Sequence, residues 1–400
     1  MTSSPPVPAL PVERAPGRPF DPPEGLAELR TRSPLTRMAY PDGHVGWLAT
    51  SHTLTREVLA DPRFSARAEL RHAPIPGVAA ADRPRPAPPG SFTAMDPPEH
   101  TRYRRLLTGQ FTVRRVRRLT ERIEEVTAEH LDAMDRHGPT VDLVEAYAHP
   151  IPAQVVCELL GVPYADRARF QQHAMDLFRL GSSTEEMMAA YAAVHGFVHE
   201  LVLAKRAAPT DDVLSGLTAT DLTDEELVNI GFTLLGAGLD TTANMVALSV
   251  FALLRHPEQL AALRADPSLT DHAIEELLRY LSIIPFTIRV ALEDVELAGV
   301  LVKAGESVTV SIPAANRDPE RFADPDTLDL SRPAGGHVAF GHGIHQCLGQ
   351  QLARVELRVA LPALLDRFPS LRLAVAPDEV AMRTDMLIYG VHRLPVDWDR

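Results

Sequence analysis

The sequence predicts a mainly α fold with a smaller β part. Three observations carry that expectation. Helical patterns dominate from residue 97 to residue 281, while strand patterns are confined to short stretches near 44–49, 295–311 and the C-terminus. The segment from Thr223 to His256 is apolar on nearly every face from Ile230 to Leu254, so it should run through the core. A chain of 400 residues with 45% hydrophobic content is large enough to enclose a buried ligand.

The elements follow in order. Residues 1–20 form a Pro-rich arm (Pro5, Pro6, Pro8, Pro11, Pro16, Pro19) with no apolar run, expected to be flexible and to be neither a leader nor a membrane anchor. Residues 21–400 are expected to form one domain. A strand pair turns at Asp42-Gly43, and residues 66–94, rich in Pro, Ala and Arg, read as a long functional or mobile loop. Helices are expected near 97–109, 112–136, 141–160, 165–180 and 184–206. Thr223 and Glu226 then form a capping box, and Pro257 ends the long helix they start. Its centre, Leu235-Gly236-Ala237-Gly238-Leu239-Asp240-Thr241-Thr242, places poor helix formers in the core, at roughly 1 kcal/mol each. Either the helix kinks around a satisfied polar cluster, or it opens locally to hold a ligand and water beside an acid and an alcohol. Helices near 258–264, 270–281 and 350–367 and strands at 295–297, 300–302 and 307–311 complete the pattern.

Charge and cysteine content narrow the function. A net charge of −13 argues against general nucleic-acid binding. The two cysteines provide no disulfide framework and suit a reducing cytoplasm. Cys157 lies in an apolar helical stretch and reads as core. Cys347 lies in Phe340-Gly341-His342-Gly343-Ile344-His345-Gln346-Cys347-Leu348-Gly349, a glycine-rich loop just before a helix N-terminus that stabilises an anion. Three readings compete: a structural thiol, a zinc ligand with His337, His342 and His345, or a thiolate to haem iron. The absence of a Cys-x-x-Cys pair disfavours zinc. A cysteine hydrolase with His345 lacks a third group to orient the histidine.

Phe-Gly-x-Gly-x-His-x-Cys-Leu-Gly resembles the haem-ligand signature of the cytochrome P450 family. Ala237, Gly238, Asp240 and Thr241 resemble the family's oxygen-binding groove, and Glu276-Leu277-Leu278-Arg279 its Glu-x-x-Arg. His100-Thr101-Arg102-Tyr103-Arg104-Arg105 resembles its propionate-binding helix. These motifs stand in the family order across residues 20–398. The resemblance implies a triangular prism crossed by one long helix over haem b, with 21–400 as a single catalytic domain. Cys347 would be the iron ligand, with Phe340 and Gly349 beside it. His100, Arg104, Arg289 and His345 would hold the propionates, Ala237 and Gly238 would line the groove, and Asp240 and Thr241 would be catalytic. Glu276, Arg279 and Arg332 would form a structural triad. The implied reaction is insertion of one oxygen atom from O2 into a C–H bond, with electrons from NAD(P)H through ferredoxin reductase and ferredoxin. A basic stretch (Arg102, Arg104, Arg105, Arg114, Arg115, Arg117, Arg118) would steer an acidic ferredoxin.

Family-like substrate positions here are apolar: Phe178, Phe232, Leu235, Ile284, Pro285, Phe286, Ile288 and Leu387. They suit a large hydrophobic molecule. The texture of the chain resembles actinomycete enzymes that tailor macrolides and other polyketides in antibiotic biosynthesis. Hydroxylation of such a compound is the expected reaction, with epoxidation or multi-step oxidation of a macrolide, or hydroxylation of another hydrophobic secondary metabolite, a steroid-like molecule or a xenobiotic, as alternatives. A peroxide-driven relative is disfavoured by Asp240-Thr241, and a non-catalytic one by Cys347. A soluble, cytoplasmic, monomeric enzyme is expected.

Overall fold

The structure, a computed structural model, describes residues 7–76, 85–110, 113–166 and 183–399. Helices make most of it. The β part is a five-stranded sheet of order β1-β2-β8-β5-β3, a three-stranded sheet of order β4-β10-β9 and a hairpin β6-β7. The strands are β1 (Leu35–Ala39), β2 (Val45–Ala49), β3 (Phe64–Ser65), β4 (Val141–Asp142), β5 (Phe286–Ala291), β6 (Val295–Leu297), β7 (Val300–Val302), β8 (Ser307–Ser311), β9 (Arg372–Leu373) and β10 (Pro395–Asp397). Among the described residues, only the β2–β8 pair is parallel; the other pairings are antiparallel.

The helix Asp224–Arg255 organises the molecule. Its start is the predicted capping box: the Glu226 N–H donates to the Thr223 hydroxyl at 3.2 Å, and the Thr223 N–H to the Glu226 carboxylate at 2.7 Å. Glu226 also accepts from the Tyr103 hydroxyl at 2.7 Å and from Arg102 at 2.5 Å, which ties the helix Glu99–Thr108 to it. Its first half, from Leu227 to Leu239, packs with the helices Pro150–Leu160 and Thr184–Ala207 in one apolar cluster. Its second half, from Met245 to Leu253, packs with Thr270–Leu281 and Gln350–Arg367 in another. The polar centre therefore falls at the seam between two cores. The helix is long and apolar enough to span a membrane, but 78% of its most apolar window is buried inside the protein.

The Glu-x-x-Arg pair clamps the fold. Arg279 forks onto Glu276 at 2.7 and 2.8 Å, with both side chains fully buried. Arg279 also donates to the carbonyls of Asn316 and Pro325, and Arg332 reaches Glu276 at 3.1 Å. Two buried charges cost desolvation unless every donor and acceptor is used, and here they are. The segment 316–332 is thereby fixed to the helix Thr270–Leu281.

Several elements differ from expectation. The expected helix over 141–160 is split into β4, a wide turn at Val144–Ala148 and a helix from Pro150. Pro150 and Pro152 lack an N–H, so they fit only a first turn. Short helices at Leu26–Arg32, His52–Ala60, Val213–Thr218 and Ile312–Asn316 were not anticipated. From Leu10 on, the Pro-rich arm is anchored to the body: Leu10 and Phe20 are buried, and Arg14 sits 3.7 Å from the centre of the Tyr389 ring. The expected helix near 165–180 falls almost wholly outside the described residues.

Candidate active site

Cys347 ends a tightly wound loop. Its N–H donates to the Phe340 carbonyl at 2.9 Å, and the Gln346 N–H donates to Gly343 at 3.0 Å. Gly343 has φ 73°, and a Cβ there would lie 2.3 Å from the Leu59 carbonyl oxygen, so no other residue fits without moving the helix His52–Ala60. The helix Gln350–Arg367 begins three residues on. Burial pushes the Cys347 thiol above its ordinary pKa, while the N–H groups of Gly349 and Gln350 and the guanidiniums of Arg104 and Arg354 pull it down. A bound cation completes that stabilisation, because a coordinating thiol ionises outright. The thiol faces a cavity.

Behind the loop, Arg354 stacks on the Phe340 ring at 4.6 Å and forks onto Glu275 at 2.6 and 3.0 Å. His337 meets the same carboxylate at 3.2 Å. Against the cost of burial, these partners hold Glu275 down to about 2. His337 is thus occupied, and no group of three or more metal-ligating side chains forms among the described residues, which removes the zinc reading.

The cavity, about 410 Å³, lies between the Cys347 loop and the central helix. Thr233, Leu234, Ala237, Gly238, Thr241, Thr242 and Met245 face it, the stripe that a period of 3.6 residues dictates. The helix is unbroken there, contrary to the local opening considered from sequence. The Thr241 hydroxyl donates to the Ala237 carbonyl at 2.8 Å. Gly238 allows close helix packing, since a Cβ would lie 2.8 Å from a Val156 methyl. Asp240 points away from the cavity. It is buried in a bidentate pair with Arg383, at 2.6 and 3.1 Å, a partner that no motif announced.

On one flank, His100, Arg104, Arg289 and His345 come together as expected, with Arg71 added. The His100 and His345 rings are 4.2 Å apart. Both His100 nitrogens, His345 Nε2 and Arg71 Nε are buried without partners among the described residues. Burial, then Arg289 and the other cations, pushes His345 down to about 3; burial, then Arg71, pushes Arg289 down to about 10. Orphaned donors and crowded cations of this kind fit an anionic ligand. Haem supplies what is missing: propionates for the cations, iron for the thiol and a flat apolar body between. All nine residues expected to touch it (His100, Arg104, Ala237, Gly238, Arg289, Phe340, His345, Cys347, Gly349) line the cavity.

The expected substrate residues fare less well. Ile284 lines the cavity, as do Ile283 and Thr287. Phe286 and Ile288 do not, because alternation along β5 turns them away when Thr287 and Arg289 face in. Leu235 is core on the far side of the helix, and Phe232 packs on Tyr191 at 4.9 Å. Pro285 and Leu387 are also outside the lining, and Phe178 lies outside the described residues. The basic stretch is partly neutralised: Arg102 pairs with Glu226 and Asp221, Arg115 and Arg118 with Asp211, and Arg117 with Glu121. Arg105 is exposed; the Arg114 side chain lies outside the described residues.

Comparison with known proteins agrees with this geometry. The cytochrome P450 family profile matches residues 192–385. Cytochrome P450 105C1 of a Streptomyces species is 52% identical over 382 residues, 95% of this chain and 96% of that one. The crystal structure of CYP105P1 in complex with filipin I matches with a TM-score of 0.92 at 42% identity, over 98% and 99% of the two chains. That of Rif16 in complex with R-L matches with a TM-score of 0.86 at 49% identity, over 97% and 99%.

Proposed function

The chain belongs to the cytochrome P450 family and is a haem-dependent monooxygenase that draws on O2 and on electrons originating in NAD(P)H; from that premise, we propose that it hydroxylates a large, uncharged macrolide-type product of secondary metabolism. When bound, haem supplies oxygen activation and C–H cleavage. The protein's part is position and protons. Cys347 holds the iron through sulfur, and the N–H groups at the start of its helix temper the charge on that sulfur. Thr241 holds a hydrogen bond at the cavity edge of the central helix. Once Arg383 releases it, the Asp240 carboxylate takes a proton from solvent and passes it to this edge.

The observation that carries the substrate class is the lining around the central helix. Phe92, Val156, Leu159, Leu234, Ile283 and Ile284 give the lining an apolar share, and its cations cluster around the paired rings of His100 and His345. An uncharged, bulky hydrocarbon framework fits that division. Filipin I in CYP105P1 supports the same class by likeness. Electrons would come from an acidic ferredoxin docking on the Cys347 face, where exposed Arg105 and Ile344 stand, rather than on the arginines at 115–118, which are already engaged with Asp211 and Glu121. The enzyme would work as a soluble cytoplasmic protein.

The test begins with the carbon monoxide difference spectrum of the reduced protein, expected to show the red-shifted Soret band of thiolate-bound haem. The ferric form is then titrated with uncharged macrolactones, and turnover products are identified by mass. Low-spin to high-spin shifts and a gain of one oxygen atom are expected. Binding confined to small acids would overturn the substrate class.

A further inference from the structure

The loop after β3 sends into the cavity an arginine that belongs to none of the motifs. Arg71 lines the cavity together with His100, Arg104, Arg289 and His345. Its outer N–H groups donate to the backbone carbonyls of Ala66 and Thr93, which aims the side chain, and its Nε is buried with no partner among the described residues. Arg289, also buried, donates to the Thr287 hydroxyl at 3.3 Å and to the Ile288 carbonyl at 2.8 Å. Neither guanidinium meets a carboxylate among the described residues. The acids near Arg71 are already engaged. Asp96 accepts from the Ala66 N–H at 2.8 Å and the Ser65 hydroxyl at 2.5 Å, and Glu69 faces Arg67 at 3.6 Å.

Two guanidiniums held in one buried place repel each other, and burial adds to the cost. The repulsion registers at Arg289, where, after burial itself, Arg71 is the largest influence lowering the guanidinium. Such an arrangement is stable when an anion completes it, and a carboxylate matches the planar donor fork. We infer that Arg71 acts with Arg289 as a carboxylate anchor on the loop side of the cavity. The inference rests on the haem reading. The carboxylate is either a haem propionate, so that Arg71 ties the loop to the cofactor, or an acid group on a bound ligand.

The test uses haem-loaded wild type, Arg71→Gln, Arg71→Lys and the surface control Arg372→Ala. Arg71→Gln keeps an amide donor at about the depth of Nε and loses the charge. The carbon monoxide spectrum of the wild type comes first; failure there refutes the haem reading and not the role of Arg71. Haem transfer to excess apomyoglobin is then timed. A propionate anchor predicts loss about tenfold faster in Arg71→Gln, an intermediate rate in Arg71→Lys and a wild-type rate in Arg372→Ala, from one charge-assisted hydrogen bond. The Soret position of the carbon monoxide complex should stay unchanged, because Cys347 is untouched. In the second arm, laurate and its methyl ester are titrated into the ferric proteins. Weakening of laurate alone by about tenfold, with wild-type haem loss, assigns the carboxylate to the ligand. Unchanged haem loss together with unchanged laurate binding overturns the inference. If Arg71→Gln does not fold, Arg71→Lys carries both arms, since an ammonium lacks the fork.

Discussion

Glu356 offers a stability test whose sign is unusual for a carboxylate. It lies in the helix Gln350–Arg367, is buried, lines the cavity and leaves Oε2 without a partner among the described residues. Burial pushes its carboxyl from the ordinary 4.5 up to about 8. Between those values the native state keeps a proton that the unfolded state has released. Stability therefore falls as pH rises, by about 1.4 kcal/mol per pH unit. Over the whole window the loss is about 5 kcal/mol. The lower part is masked, because His345, pushed down to about 3, adds stability as pH rises toward its ordinary value of 6.5. From pH 6.5 to 8 the Glu356 effect stands clear and amounts to about 2 kcal/mol. At about 2 cal/mol/K of unfolding entropy per residue, over 400 residues, this is roughly 2 °C in melting temperature. Glu356→Gln has no group to titrate. Calorimetric melting of the haem-loaded wild type and variant at pH 6.5 and 8 should show the wild type losing about 2 °C more across the interval, all other groups cancelling in the difference. An equal loss in both proteins would refute the buried, protonated carboxyl.

Two further outcomes follow from the central helix. Thr241→Ala should retain haem and ligand binding, but NAD(P)H consumption should uncouple from product, with hydrogen peroxide released instead; undiminished coupling would remove Thr241 from proton handling. Arg383→Leu leaves Asp240 charged and buried alone, which costs about 3–5 kcal/mol and roughly 4–6 °C in melting temperature, while the double variant Asp240→Leu/Arg383→Leu should recover most of it. Additive losses in the double variant would show that the pair is not coupled.

Local interactions were legible in the sequence. The Thr223–Glu226 capping box and the Glu276–Arg279 pair each span three residues, so one helical turn fixes their geometry. The Cys347 loop was legible because Gly343 has one steric solution against Leu59. Partners far apart in the chain were not legible: Asp240 and Arg383 are separated by 143 residues, and Arg118 meets Asp211 across 93. The substrate face failed for a different reason. Apolar runs such as Ile283–Ile288 say that a segment is buried, but side-chain parity along β5 decides which residues see the cavity, and that parity is set by pairing with β8. Arg71 was hidden in a loop whose composition suggested mobility, and only its two carbonyl contacts give it a direction.

The continuity of the central helix limits what its acid and alcohol can do together. Thr241 gives its hydroxyl proton to the Ala237 carbonyl, so its lone pairs are what it presents to the cavity. In that state it accepts a hydrogen bond, and it donates one only by giving up Ala237. Asp240 is the next residue, about 100° around the helix, and both its oxygens are held by Arg383. Direct transfer between the two side chains is therefore closed while the pair is intact. Freeing Asp240 breaks two charge-assisted hydrogen bonds, at roughly 1.5–3 kcal/mol each before water replaces them. If Asp240 supplies protons to this helix, as proposed, a guanidinium from the C-terminal segment gates that supply, and an acid that is rarely released would keep protons from the cavity before substrate is in place.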